Sequence, residues 1–98
     1  MIVVELSYKK PLTEVDRFLE EHRAFLQKYY DAGVLIASGP KNPRDGGMIL
    51  ALTDQATMEK IVAEDPFYRH GIADYRYILF EPVKYSPEFG AILAKRVK

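Results

Sequence analysis

The sequence contains no cysteine and no excess of charge of either sign. Without cysteine, disulfides, thiol nucleophiles and cysteine-ligated metal sites are excluded. The 14 basic and 14 acidic residues give a formal net charge of +0. This balance argues against nucleic acid as a partner, because binding phosphates requires a concentrated basic surface. The one basic cluster, "AKRVK" at the C-terminus, is typical of a solvated chain end.

Long apolar runs are absent as well. The first ten residues, "MIVVELSYKK", reach a charged side chain at Glu5, so they have neither the length of a membrane helix nor the apolar region of a signal peptide. We therefore expect a cytoplasmic protein without a membrane partner. The chain has 98 residues, of which 48% are hydrophobic and 29% are charged, and no linker-like stretch divides it. These properties predict a single globular domain over residues 1–98.

The spacing of apolar residues predicts an α+β fold. Strands are expected at residues 1–8, 34–38, 48–53 and 73–85. A first helix is expected from an N-cap at Thr13 to about Asp31, with Gly33 as its C′ residue, and a second from an N-cap at Asp54 to about Glu64. A short helix should follow Pro87. This βαββαβ order is ferredoxin-like: a four-stranded antiparallel sheet has strands one and three at its centre and both long helices on one face.

The other face of the sheet would then be uncovered. Strands two, three and four carry apolar side chains on both faces, and an exposed apolar sheet of that size is rare on a monomer. We therefore predict a homodimer in which two open faces pack together, forming a dimeric α/β barrel. The alternative is that the C-terminal helix folds back over this face. Pro82 has no backbone N–H and therefore favours an edge position for the fourth strand.

The first helix carries a histidine on its apolar side. In "RFLEEHRAFLQKYY", at about 100° of rotation per residue, His22 lies at the centre of the apolar arc, between Leu19 and Leu26. Burying an imidazole without a partner costs about 1–3 kcal/mol, so a hydrogen-bond partner is expected. One interpretation is a core histidine satisfied by a carbonyl or a carboxylate. The other is a catalytic base.

Asp65 is the partner that the topology suggests for His22. It follows the second helix, at the level where the first helix begins, and helical side chains lean toward the N-terminus of their helix. Asp-Pro is also a common way to end a helix, although a carboxylate at a helix C-terminus is disfavoured by about 0.3–1 kcal/mol. A histidine held in one tautomer by an aspartate is suited to removing a proton next to a carbonyl or a phenol. The residues alone therefore predict that His22 and Asp65 lie close together, as either a structural or a catalytic pair.

Several hydroxyl groups are candidates for contacting a substrate at the same end of the sheet. Ser38 closes the second strand, where it would contact a substrate, act as a nucleophile, or bond to backbone. Ser7 and Tyr8 close the first strand, and Tyr75 lies on the fourth. We predict Ser38, Ser7 and Tyr8 as substrate-binding residues, with Tyr75 as a further candidate for the pocket wall. The segment "GPKNPRDGG" is predicted to be a hairpin loop rather than a phosphate cradle, because it joins two strands.

The second histidine, His70, is expected in an exposed loop. Together with His22 and Asp65 it would make a set of two histidines and one carboxylate, a combination that binds metals. No HxxxH or HxxE spacing supports such a site. We therefore expect neither a metal nor another cofactor.

Several residues together resemble a known family, the YciI-like (YCII-related) domain family. They are His22, Leu26, Gly33, Leu35, "SGPK" (38–41), "GG" (46–47), "EDPF" (64–67) and Gly71. The resemblance spans residues 22 to about 74 and departs from the family pattern at "FYRHGI", where His70 occupies a position that is more often small.

The resemblance to this family implies a dimeric α/β barrel and an active-site pair at His22 and Asp65. One branch of the family is implicated in removing chloride from a chlorinated hydroxyquinol, and the wider superfamily includes muconolactone isomerase-like enzymes. The implied function is a cofactor-independent acid/base enzyme of the lyase, isomerase or dehydrochlorinase type, acting on a small cyclic or aromatic metabolite. The alternative is a non-catalytic dimeric module that binds a small ligand or serves an accessory role.

Overall fold

The computed structural model describes residues 1–96 and contains the predicted α+β arrangement. Four antiparallel strands form one sheet, in which the second strand lies beside the third, the third beside the first and the first beside the fourth, so strands one and three are central, as the βαββαβ pattern predicts. Val97 and Lys98, the end of the basic "AKRVK" segment, lie outside the described residues. The elements are β1 (Ile2–Tyr8), α1 (Leu12–Arg17), α2 (Leu19–Asp31), β2 (Leu35–Pro40), β3 (Gly46–Ala51), α3 (Gln55–Val62), α4 (Pro66–Arg69), β4 (Ala73–Leu79) and α5 (Pro87–Arg96).

The core lies between the helices and one face of the sheet. Along β1, the side chains of Ile2, Val4 and Leu6 are buried and alternate with side chains that point to the other face. Phe25 packs against them from α2. Each fully buried aliphatic or aromatic side chain contributes about 1.5–3 kcal/mol of transfer free energy. This burial fixes α2 against the sheet and therefore fixes the position of His22.

The predicted first helix is divided into two. It begins at Leu12 after an N-cap at Pro11, so Thr13 lies inside α1 rather than capping it. Phe18, with φ −110° and ψ 5°, ends α1 and also serves as the N-cap of α2. At this break the Phe18 ring stacks on His70, with centroids 4.2 Å apart. The break in the helix therefore coincides with a contact between Phe18 and a residue far away in the sequence. The helical periodicity of residues 12–31 alone does not reveal such a break.

The end of α2 is as predicted. Gly33 has φ 78°, a conformation that residues with a Cβ rarely adopt. Its N–H donates to the carbonyl of Tyr30 at 3.0 Å, and the N–H of Val34 donates to the carbonyl of Tyr29 at 3.0 Å. These bonds satisfy carbonyls that the end of a helix leaves without partners. Gly33 is therefore the C′ residue that turns the chain toward β2.

Three predicted elements end earlier than expected, and one of them, β3, ends at Ala51 rather than at residue 53. The helix α3 ends at Val62, and a separate turn of helix, α4, begins at Pro66. The last strand ends at Leu79 rather than continuing to residue 85, because Leu79 pairs with Ile2 at the very start of β1. Phe80 makes a last bond to the carbonyl of Met1, and beyond it β1 offers no further partner. Pro82 thus lies outside the strand, although β4 is an edge strand as expected.

The predicted hairpin loop joins β2 to β3, and the strands extend further into it than expected. Gly46 and Gly47 belong to β3. A Cβ on Gly46 would lie 1.8 Å from the carbonyl oxygen of Leu6 in β1, so only glycine fits there. The N–H of Lys41 donates to the carbonyl of Gly46 at 2.9 Å and closes the loop.

The second face of the sheet is open in the single chain. Met48 and Ile78 are 38% and 40% exposed, so α5 does not cover this face. The face is also less apolar than the sequence suggests, because Glu5 forms ion pairs with Lys41 at 3.1 Å and with Arg76 at 3.9 Å. Within residues 1–96, each helix is too short or too polar to cross a membrane.

Candidate active site

The structure brings His22 and Asp65 into direct contact. The Nδ1 atom of His22 lies 2.8 Å from Oδ1 of Asp65, although 43 residues separate them in the sequence. Asp65 is fully buried and His22 is 8% exposed. An ionised carboxylate can only accept hydrogen bonds, so Nδ1 donates and carries the ring proton. In the neutral form of the ring, Nε2 then has the lone pair.

Asp65 is held by more than the histidine. It is the N-cap of α4, and its Oδ1 accepts the N–H of Phe67 at 2.9 Å. Its Oδ2 accepts the hydroxyl proton of Tyr75 at 2.5 Å. The carboxylate therefore lies at the beginning of a helical turn, where negative charge is favoured, rather than only at the end of α3 as the sequence suggested. Three donors from three segments fix its orientation.

Tyr75 supports the His22–Asp65 pair through its hydrogen bond to the second carboxylate oxygen of Asp65. Burial, together with the adjacent charge and hydrogen bond of Asp65, raises the pKa of the Tyr75 hydroxyl far above its ordinary value of 10.0. The hydroxyl thus remains protonated and keeps donating to the carboxylate. Tyr75 lines a separate depression beside Tyr68 and Tyr77 rather than the cavity at His22. Its role in the structure is to position Asp65.

The imidazole of His22 stacks on the ring of Phe67. The two rings are parallel within 6°, with centroids 4.0 Å apart. Nε2 of His22 has no hydrogen-bond partner within residues 1–96. Every fully buried polar side-chain atom of those residues does have a partner, so Nε2 must be accessible. One nitrogen of the ring is therefore fixed, and the other is available to a ligand.

His22 opens onto a cavity of about 400 Å³ between α2, the sheet and the β2–β3 loop. This volume lies within the range of small-molecule sites. Ser38 and Tyr8 also line it, whereas Asp65 lies behind the imidazole. The full lining is Leu6, Tyr8, Leu19, His22, Arg23, Leu26, Ser38, Gly39, Pro40, Arg44, Gly47, Met48, Ile49 and Phe67.

The predicted hydroxyl groups divide between the two faces of the sheet. Tyr8 and Leu6 share the side facing the helices, so the intervening Ser7 points the other way; it is exposed and does not line the cavity. Ser38 bonds to the hydroxyl of Tyr30 at 2.7 Å rather than to backbone. Ser7 is thus separated from the His22 site by the alternation of the strand itself.

The family model of the YCII-related domain matches residues 1–81. The chain belongs to the YCII-related domain family. Its structure is similar to that of 5-chloro-2-hydroxyhydroquinone dehydrochlorinase (TftG) from Burkholderia phenoliruptrix AC1100, described in complex with 2,5-dihydroxybenzoquinone. The TM-score is 0.69 with 15% sequence identity, covering 83% of this chain and 94% of that one. No functionally curated protein matches the chain.

The "DPF" segment of this YCII-related domain has a physical explanation. Asp65 accepts from the helical turn and from the histidine, Pro66 occupies the first position of α4, and Phe67 stacks on the imidazole. Proline suits that first position because its missing N–H is not needed there. Sequence reasoning singled out Asp65 but not Phe67. The one signal for this stacking in the sequence was the position of Phe67, two residues after Asp65, the expected partner of His22.

The second histidine is not part of this group. His70 stacks on Phe18 and lines a different, smaller depression with Lys10 and Glu14. No cluster of three or more histidine, aspartate or glutamate side chains placed to hold a metal ion occurs among residues 1–96. The two-histidine set considered from the sequence is therefore not assembled.

Two arginines at the cavity were not foreseen. Arg23 follows His22 on α2, and Arg44 comes from the β2–β3 loop. Nη2 of Arg44 lies 2.6 Å from Oδ1 of Asp16, which ties the loop to α1. The sequence "PKNPRDGG" shows turn residues but does not show that its one arginine reaches the rim of the His22 cavity.

Proposed function

We propose that this protein is a cofactor-independent acid/base enzyme acting on a small cyclic or aromatic metabolite, with lyase, isomerase or dehydrochlorinase chemistry. His22 is the base and Asp65 orients it. The observation that supports the proposal is the double contact of the imidazole: its Nδ1 atom is bonded to a buried carboxylate, and the His22 side chain lines a ligand-sized cavity.

The chemistry follows from this arrangement. Nε2 accepts a proton from a carbon or hydroxyl next to a carbonyl or phenol, and the electron pair of the broken bond enters the ring system. Asp65 stabilises the imidazolium that forms. In an elimination, a leaving group such as chloride departs with the electrons of its own bond. In an isomerisation, His22 returns the proton at another atom. Neither route requires an oxidant or a reductant.

The comparisons support a small ring compound as the substrate. The structural neighbour is named a dehydrochlorinase and is described with a quinone ligand. The cavity here has mainly apolar walls, formed by side chains such as Leu6, Leu26 and Phe67, which suit a ring. We carry over the class of ligand and reaction from this likeness of fold, with Ser38 and Tyr8 as the hydroxyl groups placed to contact the substrate.

We further propose that the protein is a cytoplasmic homodimer formed through the open face of the sheet. Met48, Ile78 and Phe80 are exposed in the single chain, at 38%, 40% and 47%. Side chains of this kind are commonly covered in an assembly. Sedimentation of the purified protein tests the dimer, and a concentration-independent monomer would contradict it.

A second candidate is a binding module without catalysis. The burial of the His22–Asp65 pair favours it, because a fully buried carboxylate needs a partner whether or not the site performs chemistry. In that case the cavity would hold a ligand without converting it.

Turnover separates the two candidates. Small phenols, quinols and lactones are to be screened with the wild type, with His22→Ala and with His70→Ala, a matched control at the other histidine. An enzyme should lose activity by about 10²–10⁴-fold in His22→Ala and little in His70→Ala, as expected for the removal of a general base. A substrate turned over equally well by His22→Ala would refute the proposed role of His22.

A further inference from the structure

The charged side chains that line the cavity at His22 are arginines. Arg23 and Arg44 line it, and within residues 1–96 its lining contains no aspartate or glutamate. Two carboxylates contact lining residues from outside the cavity: Asp65 lies behind the imidazole and already accepts three hydrogen bonds, and Asp16 pairs with Arg44. A ligand that enters the cavity therefore meets two cationic groups, one of them paired with Asp16, and no carboxylate in the lining itself.

Arg44 is held in position by an ion pair that does not occupy all of its hydrogen-bond donors. Only its Nη2 contacts Asp16, whereas a guanidinium group carries five N–H donors. The hydrogen bond to Asp16, and further the Tyr8 hydroxyl, raise the pKa of Arg44, so its charge is permanent. Asp16 does not line the cavity. The contact thus anchors the loop on α1 and leaves other donors of Arg44 at the cavity.

The remaining walls of the cavity are complementary to a flat apolar body. Leucine and isoleucine side chains line the cavity together with the stacked rings of His22 and Phe67. A ligand matching both features has an apolar ring and one acidic oxygen. Guanidinium groups recognise such oxygens well, and they would also stabilise the negative charge that develops on the oxygen as His22 removes a proton.

We propose that this cavity selects small ring compounds that carry an anionic oxygen, as a carboxylate, phenolate or enolate, and that Arg44, with Arg23 beside it, binds that oxygen. The inference rests on the proposed function for the identity of the site. It goes further by assigning specificity to two arginines and by excluding neutral rings as good ligands.

The test compares benzoate with benzamide, which have nearly the same shape but differ in charge. Titrations followed by nuclear magnetic resonance at neutral pH and low salt should show benzoate bound at least about tenfold more tightly, the effect expected of one charge-assisted hydrogen bond. Added salt should weaken benzoate binding more than benzamide binding. Equal affinities, or no binding of benzoate, would overturn the inference.

Three variants identify the responsible group. Arg44→Gln should reduce the affinity for benzoate about tenfold and leave benzamide unchanged. Asp16→Asn removes the carboxylate charge that pairs with Arg44 but keeps the cation, so it should bind benzoate at least as well as the wild type. Arg69→Gln makes the same charge change outside the cavity lining and should have no effect. An equal loss in Asp16→Asn or in Arg69→Gln would refute direct recognition by Arg44.

The two proposals fail in different ways. His22→Ala should abolish turnover and still prefer benzoate to benzamide. If His22→Ala loses turnover while Arg44→Gln keeps the full preference for benzoate, the anion selectivity is wrong and the proposed function stands. If the preference depends on Arg44 but no ring compound is turned over, the cavity binds anions without acid/base catalysis.

Discussion

Replacing Asp65 by asparagine separates the charge of the carboxylate from its shape. An asparagine can place its carbonyl oxygen where Oδ1 lies, and there it still accepts the N–H of Phe67 and the Nδ1 proton of His22. Its amide group then faces the hydroxyl of Tyr75, which can turn to accept. The opposite orientation would point the amide hydrogens at the Phe67 N–H, with no acceptor between them. The variant should therefore fold and should keep the histidine tautomer.

The cost of the asparagine follows from the three bonds. Hydrogen bonds to a charged group contribute about 1.5–3 kcal/mol each, and neutral ones contribute about 0.5–1.5 kcal/mol. Three bonds weakened in this way amount to about 3 kcal/mol, and the lower desolvation cost of a neutral group offsets part of it. We expect Asp65→Asn to lose about 2 kcal/mol of unfolding free energy. For a domain of this size that lowers Tm by roughly 8–16 °C.

The assay combines urea denaturation with turnover of whichever ring compound the wild type converts. With the charge gone, the imidazolium formed during proton transfer is no longer stabilised, so kcat should fall by about 10²-fold or more while the fold persists. The double variant with His22→Ala should lose less stability than the sum of the two single losses, because Asp65→Asn weakens the same bond that His22→Ala removes. Unchanged stability together with unchanged turnover in Asp65→Asn would refute the reasoning.

Three further changes probe the support of the His22–Asp65 pair and the packing of the sheet. Tyr75→Phe should cost about 1.5–3 kcal/mol near pH 8 by removing a bond to a charged group, and the difference from wild type should shrink above pH 10. Because the pKa of Tyr75 is raised in the folded state, this stabilisation is complete below pH 10 and is lost above it, by up to about 1.4 kcal/mol per pH unit. A difference that stays constant in denaturation experiments up to pH 11 would contradict this. Gly46→Ala should destabilise by more than about 2 kcal/mol, since its Cβ would meet backbone at 1.8 Å, whereas Gly39→Ala, with open space, should not; equal denaturation midpoints would refute the clash. Phe67→Leu should lower turnover by loosening the His22 ring, and the imidazole proton signals should broaden; sharp, unshifted signals would count against it.

The fold was predictable because its signals are local. The alternation in β1 and the apolar arc of α2 establish which side chains face the core, and Gly33 marks the end of α2 by its own conformation. The ends of the other elements are not local properties. The strand β4 stops where β1 runs out of partners, and the break at Phe18 coincides with stacking on His70. Neither contact is visible in the sequence of the segment it limits.

The same distinction between local signals and long-range contacts explains which residues of the site could be predicted. His22 is conspicuous because an imidazole on an apolar helical face violates the pattern around it, and the topology limits which carboxylate can reach it. Tyr75 obeys its pattern: it alternates with exposed residues on β4 and pairs in register with Leu6. Arg44 obeys its pattern too, as a charged residue in a turn. A residue that contradicts its local environment can be singled out from sequence, whereas the bond of Tyr75 to Asp65 and the place of Arg44 at the cavity require coordinates.

The short segment from Asp65 to Phe67 shows why the fold and the site are linked in this protein. One carboxylate caps a helical turn and orients a histidine, and the ring two residues later stacks on that histidine. Any change there alters stability and chemistry together. A loss of stability in a His22 variant is therefore expected whether or not His22 is catalytic, since the ring satisfies a buried carboxylate and packs on an aromatic face. Melting temperature alone cannot assign its role, and turnover measured on folded variants has to decide it.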